Sequence, residues 1–226
     1  MGKRIVKFIR YMFECLLSVI YPYTCDCLIC GDAVDENVQV CTECIKKLKF
    51  CSNPMLVTRN NIDIITYSSL YYSKAAKEMI IRLKYKSDFR SGKLLAKYMT
   101  ETVKQFNLEF DLVTYVPTSR KVMKKRGYNQ SRFLALSISE NLDKNLIDCL
   151  KKQVDTLDQI GLGNEKRWDN LRESFRVCNM EKIKDKKILL VDDVITTGAT
   201  AYYCAKELIG NGVNSVIVLT AAKSKI

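Results

Sequence analysis

The chain of 226 residues contains no histidine. Imidazole is therefore excluded as a general base, a proton shuttle or a metal ligand. Chemistry must rest on carboxylates, lysines, hydroxyls or a metal held by other donors. Low-complexity tracts are absent too, and hydrophobic and charged residues make up 47% and 27% of the chain, as in globular proteins. No run is long and uncharged enough to span a bilayer, so no transmembrane segment is expected. In the amino-terminal stretch charges interrupt the apolar residues and no small-residue cleavage site follows, so no secretory signal is expected either.

What is abundant is positive charge. Thirty-seven Lys and Arg against 25 Asp and Glu give a net charge of +12. The cations gather in blocks at Arg120–Lys121, Lys124–Lys125–Arg126, Lys151–Lys152 and Lys182 to Lys187. Such a surface suits polyanions, whether nucleic acid, acidic headgroups or a phosphorylated substrate. A merely solvated lysine face is the equal alternative. The length suits one full core plus an appendage.

Seven of the ten cysteines fall within the first 51 residues, while Cys149, Cys178 and Cys204 are scattered and read as ordinary buried thiols. Cys27-x-x-Cys30 and Cys41-x-x-Cys44 form two knuckles ten residues apart, with Gly31 after the first. Each turn presents two thiolates on one side, and two such turns complete a closed tetrahedral site, which makes zinc structural rather than catalytic. Disulfides are the rival, but paired C-x-x-C in a cytosolic type of sequence favours metal. Cys25 and Cys51 lie close enough to substitute for one of the four.

Residues 1–22 place Ile5, Phe8, Ile9, Met12, Phe13, Leu16, Leu17 and Ile20 at helical spacing, with Lys3, Lys7, Arg10 and Glu14 on the other face. Packing on the chain's own domain is expected ahead of a membrane surface or a partner groove. From Asn61 onward, strand and helix patterns alternate. IDIITYSSLYY and FDLVTYVP read as strands; SKAAKEMIIRLKYKSD, GKLLAKYMTETVKQF and RGYNQSRFLALSISENL read as helices. A strand–loop–helix–strand ends at VIVLTAA. This predicts an α/β fold, a mainly parallel sheet flanked by helices. The expected organisation is an amphipathic helix over 1–22, a cysteine module over 23–54 and the α/β domain over 55–226.

The most informative run is Ile188 to Thr200, ILLVDDVITTGAT. Four apolar residues make a buried strand, and Asp192 and Asp193 stand at its carboxyl end, where parallel sheets bind ligands. A short loop follows, and a helix opens near Thr200. The loop offers backbone N–H groups and a helix N-terminus to an anion. Gly198 and Ala199 permit close approach, and Thr196, Thr197 and Thr200 add hydroxyl donors. Carboxylates repel phosphate, so the acidic pair must face another part of the same ligand, suited to sugar hydroxyls, a metal or both. One anionic end and one hydroxylated end describe a ribose 5-phosphate.

The run resembles the phosphoribosyl pyrophosphate (PRPP) signature of type I phosphoribosyltransferases. That resemblance implies that Asp192 and Asp193 hold the ribose hydroxyls while Thr196, Thr197, Gly198, Ala199 and Thr200 wrap the 5′-phosphate. Pro117, Thr118, Ser119 and Arg120 end another strand and run on to Lys124-Lys125-Arg126-Gly127-Tyr128-Asn129-Gln130. With Arg126 they suit the pyrophosphate half, a polyanion that gains charge as it leaves. Residues 159–163 read as a mobile loop from which Arg167 would close over the phosphates. The order of cysteine knuckles, RLKYKSD, VPTSRKVMKKRGYNQ, QIGLGNEKRWDNL and ILLVDDVITTGAT is similar to that of the ComF family of late competence proteins, from Tyr21 to Ala222.

This resemblance implies a zinc module ahead of a phosphoribosyltransferase-like domain and a role in DNA uptake during natural transformation. It also implies a cytoplasmic location, with attachment to the inner face of the membrane as an option. PRPP with magnesium, single-stranded DNA and a DNA-uptake helicase are the expected partners. Two rivals remain. One is a magnesium-dependent, pyrophosphate-releasing transferase with no direct DNA role, whose acceptor the sequence does not reveal because no nucleobase hood is readable. The other is a non-enzymatic competence factor whose cations and aromatics Tyr85, Phe89, Tyr128 and Trp168 follow single-stranded DNA.

Overall fold

The computed structural model describes residues 25–36, 38–153, 168, 171 and 173–224. The expected helix over residues 1–22 and the loop carrying Arg167 lie outside the described residues. The chain divides into two units between Thr42 and Glu43.

In the first unit a tight turn follows Cys27. The Gly31 N–H donates to the Cys27 carbonyl and the Cys27 N–H to the Asp32 carbonyl, at 2.9 and 2.8 Å. Gly31 has φ +84°, a left-handed conformation open to glycine at no steric cost. Leu28 is buried and its N–H donates to the Gln39 carbonyl at 2.9 Å. A short helix, α1 (Thr42–Lys46), starts at the last residue of this unit and carries Cys44 in the second.

In the second unit a six-stranded sheet is built from β1 (Met55–Arg59), β2 (Ile62–Tyr71), β3 (Leu112–Tyr115), β4 (Asn145–Leu146), β7 (Lys187–Ile195) and β8 (Ser215–Lys223). Their order is β1-β2-β8-β7-β3-β4. Only the edge pair β1–β2 is antiparallel, with Leu56 opposite Ile65; every other pairing is parallel. The hairpin turns through Asn60 and Asn61 at φ 48° and 58°, the left-handed region that asparagine tolerates. A separate antiparallel pair joins β5 (Leu150–Lys152) to β6 (Phe175–Val177).

Helices cover the sheet. They are α2 (Lys74–Tyr85), α3 (Phe89–Gln105), α4 (Arg120–Arg126), α5 (Gln130–Asn141) and α6 (Ala199–Gly210). Ile188 and Leu190 of β7 pack with Val216 and Val218 of β8 against Tyr202, Ala205 and Leu208 of α6. Leu189 and Val191, which alternate to the other face, are also fully buried. Burial on both faces is why these strands read as continuous apolar runs. The Tyr202 hydroxyl, on a ring with no exposure, donates to the Arg59 carbonyl at 2.8 Å and so ties α6 to the edge hairpin. Among the described residues no helix is long and apolar enough to cross a membrane.

Most elements follow the sequence pattern, but the helix expected from Arg126 opens only at Gln130, the short strands β4, β5 and β6 are additional, and three further elements differ. Strand β7 continues through the acidic pair to Ile195 instead of ending before it. Met55–Arg59 forms a strand ahead of the first expected one. Arg120–Arg126, to which the pattern assigns no element between the expected strand end and Arg126, is a helix in which no residue is buried, so it leaves no hydrophobic period. Its ends are written in capping chemistry instead. Ser119 accepts the Val122 N–H at 3.2 Å, and Gly127 closes the helix at φ +82°.

Candidate functional site

At the carboxyl ends of β3 and β7 lies a cleft of about 530 Å³. Its lining joins Asp192, Asp193 and the whole run Val194–Ala201 to Pro117, Gln130, Lys84, Lys152 and Thr220. Residues far apart in sequence thus meet where parallel sheets present ligand sites.

The acidic pair is tightly held. Asp193 is buried and its Oδ2 lies 2.6 Å from Lys84 Nζ, at the end of α2. Asp192 Oδ1 accepts both the Ser131 hydroxyl at 2.8 Å and the Asp193 N–H at 2.9 Å. Burial, then the neighbouring Asp193 charge, push the Asp192 carboxyl up to about 7. Burial works against the charge on Lys84, but the Asp193 carboxylate outweighs it and holds the ammonium above its ordinary range. The pair therefore presents less negative charge than two free carboxylates would.

The following loop is shaped by Gly198. Its φ is +82°, and a Cβ there would come within 2.8 Å of Val57 Cγ2 on the edge strand, so both backbone and space demand glycine. Gly198 stands at the N-cap of α6 without a side-chain cap of its own. The Ala199 N–H finds the Thr197 hydroxyl at 3.4 Å. The first turn of a twelve-residue helix, with its positive dipole end, thus lines the cleft beside Thr196, Thr197 and Thr200.

The residues expected at the pyrophosphate end separate into two roles. Pro117 lines the cleft. Ser119 caps α4, Arg120 is exposed on that helix, and neither they nor Thr118 are in the lining. Arg126 donates to Gln130 Oε1 and lies 5.2 Å over the Tyr85 ring, reaching the cleft through Gln130. The RGYNQ stretch is largely scaffold. The Tyr128 hydroxyl donates to the Leu83 carbonyl, its ring packs on Phe89 at 5.2 Å, and Asn129 donates to the Val116 carbonyl at 2.9 Å. Trp168 stands edge-on to Tyr202 at 5.3 Å, with the Arg59 guanidinium 4.4 Å from its ring centre. Tyr128 and Trp168 are thus engaged within the fold, while Tyr85 is 65% exposed.

Sequence reasoning missed Lys84 and Ser131. The local signal was weak, since RLKY reads as the end of an amphipathic helix and Ser131 as a helix start.

The thiols of Cys27, Cys30, Cys41 and Cys44 lie within 4.8 Å of one another and can hold a metal such as zinc. Burial raises the Cys27 thiol, but N–H donors from Cys30, Cys41 and Ile29 more than offset it and bring it to about 6. A thiolate-ready sulfur suits metal ligation. Cys25 is outside the group, and Cys51 is buried elsewhere, its N–H on the Ser69 carbonyl at 3.0 Å.

A mainly parallel sheet, an acidic pair near a strand end and a glycine-turned helix N-terminus agree with the type I phosphoribosyltransferase-like fold that the sequence resemblance implies. The chain's relatives are competence proteins, in keeping with the ComF-family resemblance. The chain is 26% identical over 211 residues to competence protein F of Haemophilus influenzae, covering 90% of this chain and 86% of that one. It is 28% identical over 192 residues to competence protein ComFC of Streptococcus pneumoniae, covering 83% of each. Among solved structures, a glutamine PRPP amidotransferase from Bacillus subtilis aligns with 57% of this chain and 26% of its own, at 20% identity and a TM-score of 0.41. No family model matches the chain.

Proposed function

We propose that the cleft binds the ribose 5-phosphate portion of PRPP, that zinc holds the four-cysteine knuckle, and that the protein serves the handling of incoming DNA in natural transformation. The observation that carries the first part is the position of Asp192–Asp193 and the Gly198 helix start in one cleft. Donors at the helix start suit a phosphate, and acceptors at the strand end suit adjacent hydroxyls. The zinc reading rests on four convergent thiols and the lowered Cys27 thiol. The DNA role rests on the likeness to competence proteins.

Magnesium does not find a prepared site on the protein. Asp193 is already ion-paired, and among the described residues the only group of three or more metal-binding side chains is the cysteine cluster. A divalent ion is left to the oxygens of the ligand's own pyrophosphate.

Calorimetric titration of the zinc-loaded protein with PRPP and magnesium tests the reading. Saturable binding is expected, with loss in Asp192→Ala/Asp193→Ala; absence of binding by folded wild type rejects it. A DNA-facing element is favoured by α4, whose Arg120, Lys121, Lys124 and Lys125 sit on a helix with no buried residue. Replacing Lys121, Lys124 and Lys125 by Ala should lower the salt dependence of single-stranded DNA affinity by about 2 to 3 in log–log slope. DNA binding that survives this change rejects α4 as the element. No DNA binding, together with PRPP turnover, favours the transferase with no DNA role.

A further inference from the structure

Two adjacent carboxylates at a largely closed strand end require counter-charge, and at phosphate-handling sites a bound divalent cation often supplies it. Here a lysine stands in that place. Lys84 Nζ lies 2.6 Å from Asp193 Oδ2, with the two side chains 22% and 6% exposed. The lysine is positioned by everything around it. Leu83 has no exposure and its carbonyl takes the Tyr128 hydroxyl. Arg82 is bonded to Glu78 at 3.0 Å and lies 3.9 Å from Asp88, while Asp88 caps α3 through the Arg90 and Ser91 N–H groups. The end of α2 is thus fixed, and its ammonium is directed to the cleft.

A cation bound by the pair would have to displace this ammonium and then sit beside its charge. Asp192 Oδ1 is also engaged twice, by Ser131 and by the Asp193 N–H. What the pair can still offer is acceptance of neutral hydroxyl donors, which needs no metal.

Resting on the phosphoribosyl reading of the cleft, we propose that Lys84 is a built-in counter-ion that takes the place of a protein-bound divalent cation at Asp192–Asp193. The sugar-phosphate portion of the ligand therefore binds without metal. Lys84 acts here as a positioning residue, through Asp193.

The test uses ribose 5-phosphate, which lacks the pyrophosphate that would carry its own metal. The zinc-loaded full chain is titrated calorimetrically in resin-treated buffer with and without millimolar magnesium. Wild type is expected to bind with affinities within about twofold in the two buffers. Lys84→Met is expected to bind at least about tenfold more weakly without magnesium and to regain most of that loss when magnesium fills the vacated charge. Lys84→Arg, which keeps the charge and guards against a folding defect in the first variant, should stay within about threefold of wild type in metal-free buffer. A merely structural lysine would give a loss that magnesium does not repair, and that outcome overturns the proposal. So does wild-type binding that appears only with magnesium, although that result leaves the phosphoribosyl reading standing. Wild type that binds ribose 5-phosphate in neither buffer overturns both.

Discussion

Asn129 holds Val116. Its side-chain N–H₂ donates to the Val116 carbonyl at 2.9 Å, while its Oδ1 accepts the Ser131 and Arg132 N–H groups at 2.9 and 3.4 Å. One buried amide therefore sets the start of α5 and the end of β3, between which the cleft opens.

Replacing this residue separates the two duties. Asn129→Asp keeps the cap but loses the donor, and Asn129→Ala loses both. Denaturant unfolding is expected to show losses of about 1 and about 2–3 kcal/mol respectively. Equal losses would show that the cap contributes nothing, and an unchanged Asn129→Asp would show the same of the Val116 contact.

Gly198 meets two demands, and a pair of variants measures them apart. Gly198→Ala should destabilise the fold by about 1–3 kcal/mol and abolish ligand binding. Val57→Ala removes the methyl groups 2.8 and 2.9 Å from the added carbon, so the double variant should recover part of the stability. The φ of +82° keeps it below wild type.

The cleft sequence was legible where its logic is local. Strand, acidic pair, loop and helix follow one another between Ile188 and Gly210, and each leaves its own pattern. Long-range partners leave none. Ser131 reaches Asp192 across 61 residues, and nothing in the period of α2 distinguishes Lys84 from a solvated lysine. Close packing is equally silent. Gly92 sits inside α3, where glycine normally weakens a helix, because a Cβ would lie 2.5 Å from Phe133 Cε1.

Asp192 makes stability depend on pH in a definite direction. Its carboxyl is raised from 3.8 to about 7 in the folded protein, so the folded state binds the proton more tightly. The stabilisation this proton gives is complete below about pH 4 and is lost as pH rises to about 7. Asp192→Asn should remove that fall. Chemical denaturation of both proteins from pH 4 to pH 8 is the measurement, and parallel curves would contradict the shift.

Metal analysis tests the knuckle. Wild type, Cys25→Ala and Cys51→Ala should each carry about one zinc per chain, and Cys27→Ser should carry much less. A strong chelator should lower the melting temperature of the first three and leave Cys27→Ser nearly unchanged.

The position of β8 has a consequence for how the protein is made. This strand is the last of the sheet in chain order, yet it lies between β2 and β7, and Ser68 bonds Thr220 across 152 residues at 2.7 Å. As the chain leaves the ribosome, β2 can pair only with β1, and β7 only with β3. Each waits with an open, apolar parallel edge until residues 215–223 emerge and join the two halves. A chain stalled or cut before β8 would expose both edges at once, which makes the insertion of β8 the step that protects this sheet from aggregation.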